Sequence, residues 1–176
     1  MPVVWPGVAS ASPSPRNAVC DGPIDYHFSP PLTNTLRTTT ITWSGNYSCN
    51  SVVLLPPSLR AFNGTYGGSA TIETSCLQLK TQQIVQQAVT EHDTWFDPGP
   101  GGPDGTSTLT GLVSTVPRED GTRAFTWTGT VTGGSWFANQ HYTGVGEYTS
   151  LFSGDVCLLG GASEAHGTST LEVLPL

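Results

Sequence analysis

The chain has 176 residues, enough for one domain and short for two. Only 11% of them are charged and the formal net charge is -7, with six Lys and Arg scattered along the whole length. That excludes a charge-rich disordered tail, a coiled coil and a phosphate-binding surface, and it disfavours anionic membranes. No apolar run approaches the roughly 18 residues of a membrane-crossing helix, the longest being Val52 to Leu55 and Val156 to Leu159.

At the N-terminus, Ala9-Ser10-Ala11 followed by Ser12-Pro13-Ser14-Pro15 has the form of an export-signal cleavage site. Met1 to Val8, however, carries no basic region, and its apolar stretch is broken by Pro2 and Pro6. Residues 1–17 are expected to be a signal-like, flexible start, residues 18–176 one domain, and the protein secreted. The cysteines agree with export. Cys20, Cys49, Cys76 and Cys157 are too far apart for a zinc knuckle, so two disulfides are the simpler use of them. Four cysteines allow three connectivities. We favour Cys20 with Cys49 and Cys76 with Cys157, because sequential pairs close without crossing.

From Ile24 onward, apolar alternation and Thr-rich runs bounded by Gly, Asn and Pro predict many short strands. The clearest are Thr38–Tyr47, Leu59–Tyr66, Ser69–Leu79, Thr106–Val116, Ala124–Thr132, Ser135–Tyr142, Gly144–Phe152 and Gly167–Val173. Gln82 to Thr90 is compatible with two helical turns or a strand, and flanking Thr favours the strand. Gly133-Gly134 reads as a tight hairpin, and Asp97 to Gly105, dense in Gly and Pro, as a mobile loop tip. Strands this numerous must close or stack to hide their edges. The expected fold is all-β, a single antiparallel barrel of about eight to ten strands, with a two-sheet sandwich as the alternative.

Motifs that carry chemistry are missing. Gly161-Ala-Ser-Glu-Ala165 fails the last position of a hydrolase elbow, and there is no HExxH, P-loop or EF-hand sequence, so neither cofactor nor metal is expected. The densest titratable cluster is Glu91, His92, Asp93, Trp95 and Asp97. In a strand His92 points away from the other four, so a His–Asp dyad of neighbours would need a bulge. It reads first as a solvated strand end with one packed tryptophan and second as a site. Trp43 and Trp127 read as core; Trp95 and Trp136, beside turns, are core or a platform for sugar rings, and His141 lies near the proposed hairpin. His92, Asp93, Trp95, Trp136 and His141 are thus the candidate binding residues. Asn46-Tyr-Ser48 and Asn63-Gly-Thr65 are sequons that matter only in a glycosylating host, and one Lys against five Arg suggests a high-GC bacterium.

The order Cys20, a TTTITWSG strand, Cys49, a strand ending in Cys76, Thr/Gly-rich hairpins and a late Cys157-Leu-Leu-Gly-Gly resembles small exported β-proteins of actinobacteria without assigned function. The resemblance implies no catalytic residue. The expected function is non-catalytic binding of a small apolar ligand or a cell-surface glycan. The alternatives are a small hydrolase or cyclase using His92, Asp93 or His141 at a barrel mouth, and a secreted inhibitor or structural surface protein. No nucleic-acid partner is expected.

Overall fold

The computed structural model describes Pro15, residues 17–53, 58–98 and 104–148, Cys157 and residues 160–175. The cleavage-like stretch at 9–11, the loop centre at 99–103 and the end of the predicted Gly144–Phe152 strand lie outside them. Eight strands succeed one another: β1 (Ala18–Leu32), β2 (Arg37–Val53), β3 (Ser58–Thr74), β4 (Ile84–Phe96), β5 (Gly105–Pro117), β6 (Arg123–Gly134), β7 (His141–Tyr148) and β8 (Ala162–Leu174). Each pairs antiparallel with the next, and β8 pairs with β1, so the sheet closes into an up-and-down barrel. The barrel is the expected architecture; the sandwich is not formed.

Closure arises from the two-residue period. On β4, Val89, Glu91, Asp93 and Trp95 are buried while Thr90 and His92 face out. On β2 the outward set is Thr42, Ser44, Asn46 and Ser48, and the inward set includes Tyr47 and Cys49. The apolar side of the sheet therefore faces the bore and the Thr/Ser side faces out, the reverse of a lipid-facing barrel. Eight strands leave a bore that side chains just fill, or that admits one small ligand.

Bulky rings reach the bore because glycines stand opposite them. Trp43 pairs with Gly68, Gly64 with Trp95, Trp127 with Gly144 and Phe125 with Gly146. In each case a Cβ on the glycine would overlap the ring. The pair Gly67-Gly68 is for that reason no break: the two strands predicted at Leu59–Tyr66 and Ser69–Leu79 are one strand, β3, which stops at Thr74. Past Ser75 the chain winds into a helix, α1 (Cys76–Thr81), with the Ser75 hydroxyl accepting from Gln78 N–H as its N-cap. The strand option for Gln82 to Thr90 holds from Ile84 on.

The predicted strand Ser135–Tyr142 is also corrected. Residues 135–140 form the β6–β7 connection, with Phe137 and Asn139 at positive φ, and the strand resumes at His141. Gly133 and Gly134 end β6, and the turn itself is built beyond them. The hydrophobic effect explains the difference: Trp136 and Phe137 fold back into the barrel end and are each 1% exposed.

The two ends of the barrel are closed differently. At one end Trp95, Trp136, Phe137 and Phe62 pack ring against ring. Trp95 Nε1 donates to Ser107 Oγ at 2.8 Å, and Ser107 Oγ donates to the Trp136 carbonyl at 2.9 Å. The Cys20–Cys49 disulfide ties β1 to β2 directly across the ladder. At the other end α1 lies over the opening, with Leu79 buried. The Cys76–Cys157 disulfide anchors it, and the Arg123 guanidinium donates to the carbonyls of Leu79 and Gln82 and to Thr115 Oγ1. Both disulfides join the cysteines in the expected sequential pairs.

Candidate functional site

Between the aromatic plug and α1 the bore is not filled. A chamber of about 100 Å³ is walled by the rings of Tyr26, Phe28, Trp43, Phe125, Trp127 and Tyr148 and by aliphatic side chains such as Ile24, Ile41 and Val89. A second cavity of about 190 Å³ lies where α1 meets β3 and β4, lined by Glu73, Gln78, Gln82 and Gln83. Ile72, Leu79, Ile84 and Gln87 border both, so the two cavities adjoin beside α1. At Gln86, where φ is 56°, the β4–β5 register slips, and Gln87 then lines both cavities.

Polar groups in this apolar bore are few and specific. Glu91 borders the chamber at 1% exposure, and Asp93 lies one pleat deeper at 2%. Trp43 Nε1 donates to Glu91 Oε2 at 2.8 Å. Glu91 and Asp93 share a carboxyl–carboxyl hydrogen bond when one is protonated, while Trp127 Nε1 and Tyr142 Oη are buried without a hydrogen-bond partner in the structure. Neither acid belongs to an ion pair among the described residues, and Arg123, the buried cation nearest the mouth, is spent on backbone carbonyls and Thr115. Burial raises both carboxyls well above the ordinary acid range. For Glu91 the neighbouring Asp93 adds to the rise and the Trp43 bond opposes it; for Asp93 the nearby Glu91 carboxyl lowers it in part. The pair keeps protons at a pH where exposed carboxyls have lost them. Such a pair can donate and accept hydrogen bonds, and when it loses a proton it places a negative charge in a water-poor space.

The candidate residues separate across the barrel wall. Asp93 is inside, between the chamber and the plug. Trp95 and Trp136 are plug residues, 0% and 1% exposed, so they are core and offer no ring to a sugar at the surface. His92 is exposed, its Nδ1 3.3 Å from Thr108 Oγ1, and His141 is exposed at the start of β7. The structure therefore does not assemble His92 or His141 with Asp93. The strand end is not solvated on its acidic face. Sequence reasoning passed over Glu91 as a site residue, and it took Trp43 and Trp127 as core although their rings wall the chamber. The missed signal is cross-strand: Trp43 faces Gly68, and Gly68 faces Glu91, which puts the indole and the carboxyl on adjoining rungs of one face.

Other titratable groups gather on the outer wall. His166 Nδ1 lies 2.5 Å from Asp25 and His27 Nδ1 3.5 Å from Glu164, with all four side chains half exposed or more. These pairs straddle the β1–β8 seam and are worth little in water. Among the described residues no group of three or more His, Cys, Asp or Glu is placed to hold a metal ion. None of the described helices is long and apolar enough to cross a membrane. No protein-family model matches the chain, and no curated protein or solved structure was found to match it.

Proposed function

We propose that this chain is an exported binding domain that takes a small, largely apolar organic molecule into the barrel. The observation that carries the reading is the aromatic-walled chamber with a second cavity adjoining it beside α1: a filled bore would have favoured a structural or inhibitory role, whereas this one leaves room for a ligand of a few heavy atoms. Binding at a surface glycan has less support, since the exposed large apolar side chains among the described residues are aliphatic, such as Val85, Leu77 and Val145. Export is supported by two disulfides among four cysteines. N-terminal sequencing of protein collected from culture medium tests that part.

The binding test is thermal unfolding with small neutral probes, toluene and cyclohexanol. A probe at ten times its Kd stabilises the fold by about 1.4 kcal/mol through mass action. Ala70 lines the chamber, so Ala70→Leu should fill it and abolish the shift. No shift with either probe, or an equal shift in Ala70→Leu, overturns the reading. One observation favours a second reading, general-acid chemistry: two acids that hold their protons inside an apolar space. Turnover lost in Asp93→Asn but not in His92→Ala would distinguish it from binding alone.

A further inference from the structure

We propose that the ligand is a small organic cation, a quaternary or protonated amine, whose charge is met by Glu91, with Asp93 behind it, and whose body is enclosed by Tyr26, Trp43, Phe125 and Trp127. The inference rests on the interior-binding reading and narrows it to a class of ligand.

Three observations converge. First, Glu91 and Asp93 are charged side chains turned into the bore next to one another, sharing a hydrogen bond when one of them is protonated, with no basic side chain among the described residues paired to either. A buried carboxylate is costly unless a positive group compensates it, and the described residues supply none there. Second, the walls are π faces. Tyr26 packs against Tyr148 with centroids 5.0 Å apart and against Phe125 at 6.5 Å, and both indoles border the same space. An aromatic box beside a carboxylate is the surrounding that attracts an alkylammonium and offers a neutral isostere only packing. Third, the site is graded from chamber to mouth. Inside it is apolar and acidic; at the mouth the exposed Glu73 carboxyl adds a further negative group, and Gln78, Gln82, Gln83 and Gln87 supply amides suited to a hydroxyl or other polar tail. A chamber of about 100 Å³ holds a trimethylammonium-sized head, and the mouth takes the rest.

Among the described residues, the groups facing the acids inside the chamber are phenols or non-titrating side chains, and Glu73 lines the adjoining cavity. Tyr26 of β1, Tyr47 of β2, Tyr66 of β3 and Tyr142 of β7 are raised above the ordinary phenol range, first by burial, with the nearby Glu91 carboxyl adding to the rise. β5 and β8 present Val113 and Ser169 to the chamber, and β6 presents Trp127. The charge of the bore is therefore set by the Glu91–Asp93 pair, and entry of a cation should expel a proton from it.

Choline and its carbon isostere 3,3-dimethylbutan-1-ol, equal in shape and different by one charge, provide the test, read by tryptophan fluorescence and calorimetry on the whole chain. Choline should bind at least about tenfold more tightly than the alcohol. Because choline does not titrate, its affinity should rise with pH above the ordinary carboxyl range as the pair gives up its proton. The double variant Glu91→Gln, Asp93→Asn keeps size and shape, and circular dichroism verifies its fold; it should lose the choline preference and the pH dependence while binding the alcohol as before. Equal affinities in the native protein, or binding of toluene and the alcohol without choline, overturn the cation inference and leave the interior-binding reading standing. Failure of choline, the alcohol and toluene together overturns both.

Discussion

Gly144→Ala should cost far more than its single added methyl implies. Gly144 of β7 pairs with Trp127 of β6, and a Cβ at Gly144 would stand within the indole itself. Trp127 is 5% exposed, and Tyr142 meets its ring edge to face at 4.9 Å, so the indole can yield only toward the chamber it walls. Either the strand shifts or the indole leaves its rotamer. Overpacking of a core typically costs about 1 to 3 kcal/mol, and an overlap with the indole atoms themselves places this case at the top of that range, about 3 kcal/mol. For a chain of this size that is a drop of roughly 6 to 12 °C in Tm. Gly133 supplies the internal control. There a Cβ would meet Thr108 Cβ at 3.6 Å, ordinary contact, and no positive φ stands in the way. Gly133→Ala should be neutral or stabilising by up to about 1 kcal/mol. Urea unfolding monitored by tryptophan fluorescence measures both. Adding Trp127→Leu to Gly144→Ala should cost about 2 kcal/mol less than the sum of the single changes, since the clash is then gone. Equal stabilities for Gly144→Ala and Gly133→Ala would refute the argument that rings occupy the glycine rungs.

Stability should also fall as pH rises. Glu91 and Asp93 have folded-state pKa values raised above ordinary values of 4.5 and 3.8, so both states bind their protons below those values, and above them only the unfolded chain releases them. The loss is about 1.4 kcal/mol per pH unit for each proton retained, or roughly 2.7 kcal/mol per proton between pH 5 and 7. Glu91→Gln with Asp93→Asn should flatten that slope, and native stability that climbs from pH 5 to 7 contradicts it. Arg123→Met removes the donors held by Leu79, Gln82 and Thr115, and should cost about 2 to 3 kcal/mol and speed hydrogen exchange across Cys76–Thr81; unchanged exchange there would show that α1 is held by the disulfide alone. Selective loss of Cys76–Cys157 opens a loop of 82 residues counted inclusively and Cys20–Cys49 one of 30, about 4.5 and 3.6 kcal/mol on the chain-entropy model, with only the former altering probe access at the mouth.

How much of this could be read in the chain depended on whether the deciding contact was local. The alternation of Glu91, Asp93 and Trp95 against His92 was legible, because a strand has a two-residue period whatever its surroundings. Which side was dry was not legible: two acids on one face suggest water, and only the register with Gly67 and Gly68 of β3, and through them Trp43, turns that face inward. The helix α1 was not read, since Ser69–Leu79 was expected as strand, although Ser75 is a good N-cap and none of Leu77-Gln-Leu-Lys80 is β-branched. Trp136 and Phe137 looked like strand residues by propensity, and tertiary burial overrode that preference.

The closing seam constrains how the molecule can be made. Every ladder except one joins strands that are adjacent along the chain, and the exception pairs Ala18 of β1 with Val173 of β8. A chain emerging N-terminus first can pair seven strands as they appear, yet β1 must wait for nearly the last residues before its outer edge is covered. Until then the half-built sheet carries two unsatisfied edges and a bare apolar face, the combination most prone to sticking to another copy. A truncation that removes β8 should therefore yield aggregates instead of a smaller barrel. Because Ala18 and Val173 are neighbours, the two ends of the domain emerge side by side, and a new start and stop could be cut into a surface turn such as 118–122 with the old ends bridged by a short linker.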